Sequence, residues 1–124
     1  MRYYDMIKRL CIACVGLALL SSCGEYYRVQ KSSDLNERYS FAKKSYNEKK
    51  YGRVVNLLED IVPQFVGTSE GPQSTYLLAD AYLQQGDESE ASRYFQNYYT
   101  SYPKGPMAEE ARFKAGYCLF PLLL

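Results

Sequence analysis

The feature that most constrains the fold is a spaced pattern of small and large residues between positions 78 and 103. Ala79 and Ala91 are the small residues, and Tyr82 and Phe95 are the large ones. The pattern recurs along the chain: an equivalent alanine, Ala42, lies 37 residues before Ala79. Ala115 lies 36 residues after it, where a third copy begins. A fixed period in the thirties indicates stacked helical hairpins.

This pattern is typical of tetratricopeptide (TPR) repeats, in which two antiparallel helices, A and B, need small residues where their backbones approach and large ones to fill the gap. The sequence therefore predicts an all-α, TPR-like α-solenoid of about two and a half repeats over residues 34–120. The expected repeats are 34–70, 71–105 and a partial one at 106–120, with helices at 34–49, 51–64, 72–85, 88–101 and from 106 to about 120.

Local signals predict where these helices begin and end. Gly86 suits the left-handed conformation at the end of helix A of the second repeat. Asp87 followed by Glu90 predicts a capping box for helix B, and Asp34 followed by Glu37 predicts another for the first helix.

The N-terminal 22 residues have the features of a bacterial lipoprotein signal peptide. Basic residues precede an apolar run of 11 residues from Leu10 to Leu20, which is too short for a permanent transmembrane helix. Leu20-Ser21-Ser22-Cys23 matches the lipobox, in which the cysteine thiol receives the lipid. We therefore predict that Cys23 carries lipid, palmitate among its acyl chains. The rest of residues 23–33 is expected to be a polar linker. The lipid is expected to anchor the protein in the outer membrane, on the periplasmic side. Met6 is an alternative start of translation.

Composition argues against catalysis and nucleic-acid binding. The chain contains no histidine, the commonest general base and metal ligand. Without residues 1–22, which hold three basic and one acidic residues, 12 basic and 13 acidic residues remain, so no basic footprint for nucleic acid is present. No phosphate loop, serine elbow or spaced carboxylate pair is present. We expect no enzymatic activity, no cofactor and no metal.

Beyond the lipobox and the repeats, several short segments resemble the BamD family of outer-membrane β-barrel assembly lipoproteins, over residues 11–119. These segments are Glu37-Arg38-Tyr39-x-x-Ala42, Val62-Pro63-x-Phe65, Leu78-Ala79-Asp80, Tyr102-Pro103 and Ala108-Glu109-Glu110-Ala111. The resemblance implies a scaffold with about five repeats, of which this chain would be the N-terminal portion. It also implies two partners: a BamA-like barrel-assembly subunit and unfolded outer-membrane proteins.

The candidate binding residues follow from the TPR arrangement, in which helix A lines the peptide groove. In the first repeat they are Tyr39, Lys43, Tyr46 and Asn47. In the second they are Tyr76, Asp80, Leu83 and Gln84, and in the third Arg112. Aromatic rings suit the apolar side chains of an extended peptide, and amides suit its backbone. An alternative for each tyrosine is packing between repeats.

Other functions make different demands on the sequence. A cell-division or envelope-tethering TPR adaptor usually carries a coiled-coil segment before its repeats, and none is visible. A SusD-type glycan-binding lipoprotein presents tryptophan to sugars, and this chain has no tryptophan. The apolar tail at 121–124, after a helix A without its helix B, predicts a truncated reading frame.

Overall fold

The computed structural model describes residues 2–123, and the side chains of all of these except 18–22 and 121–123. The predicted apolar tail at 121–124 therefore lies outside the described side chains. Six α-helices are present in this part of the chain, and a short 3₁₀ helix, Val62–Phe65, follows the third of them. The α-helices are α1 (Arg2–Gln30), α2 (Leu35–Asn47), α3 (Tyr51–Leu58), α4 (Gly71–Gln84), α5 (Glu88–Ser101) and α6 (Ala108–Leu123).

The chain divides between Ser33 and Asp34 into two compact units. The first contains α1, a single helix that includes the predicted lipobox and exposes Cys23. The segment that we predicted as a polar linker is helical as far as Gln30. Residues 25–30 contain neither glycine nor proline, and nothing in them opposes continuation of the helix. Among residues 2–123, no helix is both long and apolar enough to cross a bilayer.

The second unit contains α2 to α6, packed as consecutive helix pairs with no strand among the described residues, so the all-α, TPR-like prediction is confirmed. In the first hairpin, the Asp34 side chain caps α2 by accepting hydrogen bonds from the N–H groups of Asn36 and Glu37. Helix α3 is shorter than predicted. It ends at Leu58 because Pro63 has no N–H group and its ring would clash with a continuing α-helix.

The second hairpin follows the predicted signals closely. Gly86 has a φ angle of +82°, which glycine adopts without strain, and so it ends α4. Asp87 then caps α5, because its side chain accepts a hydrogen bond from the Glu90 N–H at 3.2 Å. Helix α5 has the predicted bounds, and α4 begins one residue earlier than predicted.

The core is built from the alternation of small and large residues that the repeat pattern predicts. Ala79 and Ala91 are fully buried, as is Phe95. The ring of Tyr82 stacks on that of Tyr94 with 5.5 Å between centroids, which joins α4 to α5. Any larger side chain at either alanine would force the helices apart, at a cost of about 1–3 kcal/mol.

Helix α6 packs on α5 and begins at Ala108, two residues later than predicted. Its buried residues Ala111, Ala115 and Cys118 are spaced by four and three, so they form one face. The Ser92 hydroxyl of α5 donates a hydrogen bond to the Ala115 carbonyl at 3.0 Å. Cys118 is therefore a small, fully buried packing residue.

Candidate functional site

Helices α2, α4 and α6 are the A helices of the three repeats, and polar contacts join each to the next. Between α2 and α4, the Tyr39 hydroxyl donates to the Gln73 side-chain oxygen, and the Tyr46 hydroxyl donates to Asp80 Oδ2 at 2.6 Å. Both pairs are separated by 34 residues. We call the surface that these three helices form the A-helix surface.

The contacts between α4 and α6 follow the same spacing. The Tyr76 hydroxyl donates to Glu110 Oε1 at 2.8 Å, again 34 residues ahead. The Lys114 ammonium group donates to the Tyr76 hydroxyl at 2.7 Å and to Asp80 Oδ1 at 3.2 Å. Asp80 therefore accepts hydrogen bonds from both α2 and α6, and its carboxylate links all three A helices.

Burial and hydrogen bonding set the charges in this network. Asp80 is only 4% exposed, and the Lys114 ammonium group compensates its charge. Burial lowers the pKa of Lys114, but hydrogen bonds with Tyr76 and Glu110 outweigh that effect and hold the pKa above its ordinary value. Hydrogen bonds from Tyr76 and Lys114 lower the pKa of Glu110. Lys114 and Glu110 are thus ionised at neutral pH and form an ion pair, with 3.1 Å between Lys114 Nζ and Glu110 Oε1.

The tyrosines of the network stay protonated. Burial raises the pKa of Tyr76 to about 12. Burial, and after it the hydrogen bond to Asp80, also raises the pKa of Tyr46. Each hydroxyl keeps its proton at neutral pH and uses it in a bond within the protein.

A pocket of about 480 Å³ opens on the A-helix surface beside this network, and we call it the tyrosine pocket. Its volume lies within the range of small-ligand sites. It is lined by three tyrosines, four other apolar residues and two uncharged polar ones. These are Tyr46, Tyr76, Tyr98, Pro72, Leu77, Pro106, Met107, Ser69 and Gln73.

The hydroxyl oxygens of all three tyrosines already take part in hydrogen bonds within the protein. Tyr46 and Tyr76 bond as described, and the Tyr98 hydroxyl accepts a hydrogen bond from the Met107 N–H at 3.2 Å. Gly105 makes this approach possible, since a Cβ atom there would lie 2.7 Å from the Tyr98 hydroxyl oxygen. What remains for a ligand is mainly ring and aliphatic surface, with the Tyr98 hydroxyl proton, Ser69 and the Gln73 amide as uncharged polar groups and no charged side chain in the described lining. The tyrosine pocket therefore suits an uncharged, apolar side chain.

A smaller cavity of about 190 Å³ continues from the tyrosine pocket along α2. It shares Tyr46, Gln73 and Leu77 with the pocket and adds Lys43 and Asn47. The oxygen of the Gln73 side chain accepts from Tyr39, so its amide retains N–H donors for another group. The two cavities together form a groove with apolar walls and amide groups at its edge.

The structure brings together most of the predicted groove residues, in two different roles. Tyr46 and Tyr76 line the tyrosine pocket, and Lys43 and Asn47 line the smaller cavity. Tyr39 and Asp80 are buried, so they support the surface through their hydrogen bonds and offer little area to a ligand. Leu83 and Gln84 lie at the C-terminal end of α4 and are not among the residues that line these two cavities.

Arg112 is not brought to this surface. Its guanidinium group lies over the ring of Tyr99 on α5, 5.2 Å from the ring centroid. The repeat register explains the difference: Tyr39 and Tyr76 make equivalent bonds to Gln73 and Glu110, which fixes the offset at 37 residues. The sequence analysis matched Ala115 to Ala79, an offset of 36 residues, and so took Arg112 as the counterpart of Tyr76. With the observed offset of 37 residues, the counterpart is Phe113.

Sequence reasoning missed residues that come from the turns before α4 and α6. The TPR arrangement predicts binding residues in the middle of helix A. The tyrosine pocket is also lined by residues from the turns, namely Ser69, Pro72, Pro106 and Met107. The sequence signal for these turns was a proline in each, Pro72 and Pro106, because proline is favoured at the start of a helix. Tyr98 lies on α5, the helix that leads into the turn containing Pro106, and this position could have indicated that it lines the same pocket.

Comparison with known protein families matches residues 31–121 to the YfiO family, described as an outer membrane lipoprotein. The match spans most of the chain and all of the residues that form the tyrosine pocket. The chain belongs to the YfiO family. No curated protein and no solved structure gave a significant match.

Membership of the YfiO family agrees with a TPR-type outer-membrane lipoprotein, the class to which the repeats and the lipobox pointed. The family also includes BamD, so the resemblance seen in the sequence is supported at the level of the family. Cys23 lies before the matched region, which begins at Lys31, so its lipidation stays a prediction.

Proposed function

We propose that this protein is a non-enzymatic scaffold of outer-membrane β-barrel protein assembly, held by lipid at Cys23 on the periplasmic side of the outer membrane. Its expected partners are a BamA-like subunit and unfolded outer-membrane proteins. The observation that carries the proposal is the tyrosine pocket, an uncharged aromatic cavity on the A-helix surface. Membership of an outer membrane lipoprotein family supports the location.

The chemistry of unfolded outer-membrane proteins matches this groove. Their barrel strands alternate lipid-facing apolar residues with lumen-facing polar ones. An extended segment can therefore place one apolar side chain in the tyrosine pocket while its backbone meets the amides of Gln73 and Asn47. Because the interaction relies on side-chain class and on backbone groups, it tolerates many sequences, as a general assembly scaffold requires.

Site-specific photocross-linking in cells tests this proposal. A photoreactive amino acid in place of Met107, at the wall of the tyrosine pocket, is expected to cross-link unfolded outer-membrane proteins. The matched control replaces Val66, which is exposed but lies outside the pocket, and it is expected to give none of these products. A BamA-like subunit is expected to co-purify with both variants.

Two outcomes would contradict the proposal. Equal cross-linking from positions 107 and 66 would mean that the pocket has no special part in binding. Recovery of a different set of envelope proteins, without a BamA-like subunit, would favour the cell-division or envelope-tethering adaptor.

A further inference from the structure

The turns that follow α2 and α4 share one backbone conformation. Lys49 follows α2 and Gly86 follows α4, with φ angles of +59° and +82°, and the two residues are 37 positions apart. Their N–H groups donate to the carbonyl oxygens of Tyr46 and Leu83, each at 3.0 Å. The next residue in each turn also donates back to the preceding helix at equivalent positions. The first two hairpins therefore use the same turn, with different residues in it.

The residues of the second turn suit this backbone, and those of the first do not. Glycine adopts a positive φ without strain, whereas lysine is strained there because its Cβ atom approaches the backbone. Asp87 caps α5 with its side chain, whereas its counterpart Lys50 makes no side-chain capping bond to α3. Arg53 stands where the second hairpin has Glu90, although the N-terminus of a helix favours acidic residues. Three cations of the first turn thus oppose its local stability.

These cations belong to a cluster of four basic residues, which we call the basic turn: Lys44, Lys49, Lys50 and Arg53. One acid, Glu48, lies among them, so the segment 44–53 has a net charge of +3. A hydrogen bond from Lys50 lowers the pKa of Glu48, and the charges of Lys44 and Arg53 lower it further. Several cations therefore surround a single carboxylate, which leaves an excess of positive charge at this end of the hairpin.

The basic turn has no counterpart in the second hairpin. Lys44 and Lys49 are exposed, and Lys50 and Arg53 are partly exposed. The equivalent segment 81–90 contains three acids and no basic residue, so the same end of the second hairpin is acidic. Residues that break local rules of stability are expected at functional sites. Binding of an anionic ligand accounts for these cations, whereas the stability of the turn does not.

We propose that the basic turn binds the phosphate head groups of anionic lipids, in the membrane to which Cys23 is anchored. The proposal rests on the lipid anchor, which is part of the proposed function. Cys23 precedes Lys49 by 26 residues in the same chain, so the anchor keeps a lipid surface at high effective concentration near the turn. Each lysine or arginine close to an anionic surface adds to the attraction.

Contact at the basic turn holds the first hairpin against the membrane. Asn47, which lines the smaller cavity of the groove, is two residues before Lys49. An extended segment bound in the groove is thereby kept close to the bilayer that a barrel protein must enter. The acidic segment 81–90 is repelled by the same surface, so the interaction also favours one orientation of the two hairpins.

Tryptophan fluorescence of the full-length protein, purified from bacterial membranes and placed in lipid vesicles, tests this proposal. The chain contains no tryptophan, so Asn47→Trp reports on the basic turn alone, and Gln84→Trp reports on the equivalent place in the second hairpin. Lipids that carry a nitroxide on the head group quench a nearby indole ring. The vesicles contain either phosphatidylcholine alone or equal parts of phosphatidylcholine and phosphatidylglycerol.

We expect the probe at position 47 to be quenched roughly twofold more strongly in the anionic vesicles than in the neutral ones. High salt is expected to remove this difference, because it screens the attraction. The probe at position 84 is expected to be quenched equally in both kinds of vesicle.

A triple variant gives the first turn the residues of the second: Lys49→Gly, Lys50→Asp and Arg53→Glu. It is expected to abolish the quenching difference at position 47. Its urea unfolding midpoint is expected to equal or exceed that of the native protein, because glycine and a capping aspartate suit this turn. Lys44→Gln leaves the turn itself intact and is expected to reduce the difference in part. Lys104→Gln changes an exposed lysine between α5 and α6 and is expected to have no effect.

Equal quenching at position 47 in the two kinds of vesicle would overturn the proposal and would favour an acidic protein as the ligand of the basic turn. A triple variant that keeps the difference, or that unfolds at a lower urea concentration than the native protein, would also overturn it. Flotation with phosphatidylcholine vesicles measures the anchor separately. A protein that floats with these vesicles but shows no quenching difference retains the anchor of the proposed function and loses only the contact at the basic turn.

Discussion

Replacement of Asp80 by alanine is expected to destabilise the second unit by about 2–3 kcal/mol, because the carboxylate is buried and accepts hydrogen bonds from two helices. The change leaves the Tyr46 hydroxyl without its acceptor and removes the counter-charge of Lys114. Lys114 keeps its contact with Glu110, which limits the loss. Urea unfolding of the full chain in mild detergent, followed by circular dichroism, measures the effect.

Two further variants test whether the loss of stability comes from the missing Asp80 carboxylate and not from substitution in general. Asp80→Asn keeps an acceptor for Tyr46 but loses the charge that faces Lys114, so its loss of stability is expected to fall between those of the native protein and Asp80→Ala. Glu48→Ala removes an exposed acid that pairs with Lys50 and is expected to leave the unfolding midpoint unchanged. An Asp80→Ala protein as stable as the native one would contradict the role given to this network.

Replacement of Cys23 by serine is expected to remove the protein from the outer membrane. Serine has no thiol and cannot form the thioether that carries the lipid. A single acyl chain binds membranes only marginally, so stable anchoring depends on the complete modification at this residue. Mass spectrometry of the native product is expected to show a chain that begins at Cys23 and carries acyl groups, whereas the variant is expected to retain residues 1–22 without lipid.

The matched control for this change is Cys14→Ser, which alters a cysteine within the predicted signal peptide. It is expected to leave both the mass of the mature product and its recovery with outer membranes unchanged. A native product that still carries residues 1–22 with an unmodified thiol would contradict the lipoprotein interpretation.

The fold was largely predictable because its signals are local. Asp34, Gly86 and Asp87 each act on their own turn of helix, and the structure has them in the predicted roles. The early end of α3 could also have been predicted from the sequence, because Pro63 is incompatible with the interior of the helix that we predicted over residues 51–64. The helical continuation of α1 to Gln30 was missed because polar composition alone does not make a segment irregular.

The site was harder to predict because it depends on contacts between residues 34 positions apart. Asp80 was expected to face a ligand, but its role is to join α2 and α6, which only the register between repeats reveals. The same register decides that Phe113, and not Arg112, follows Tyr76. An error of one residue rotates a helical position by 100°, which is enough to move it off the surface.

The tyrosine pocket is expected to hold an uncharged, apolar side chain of an extended segment. Fluorescence anisotropy with a labelled peptide of alternating aromatic and polar residues, titrated with the full chain, measures this directly. Met107→Asp places a charge at the pocket wall and is expected to weaken binding at least tenfold, while Val66→Asp is expected to leave it unchanged. A peptide with serine at its aromatic positions is expected not to bind. Equal affinity of the native protein and Met107→Asp for the aromatic peptide would contradict the account.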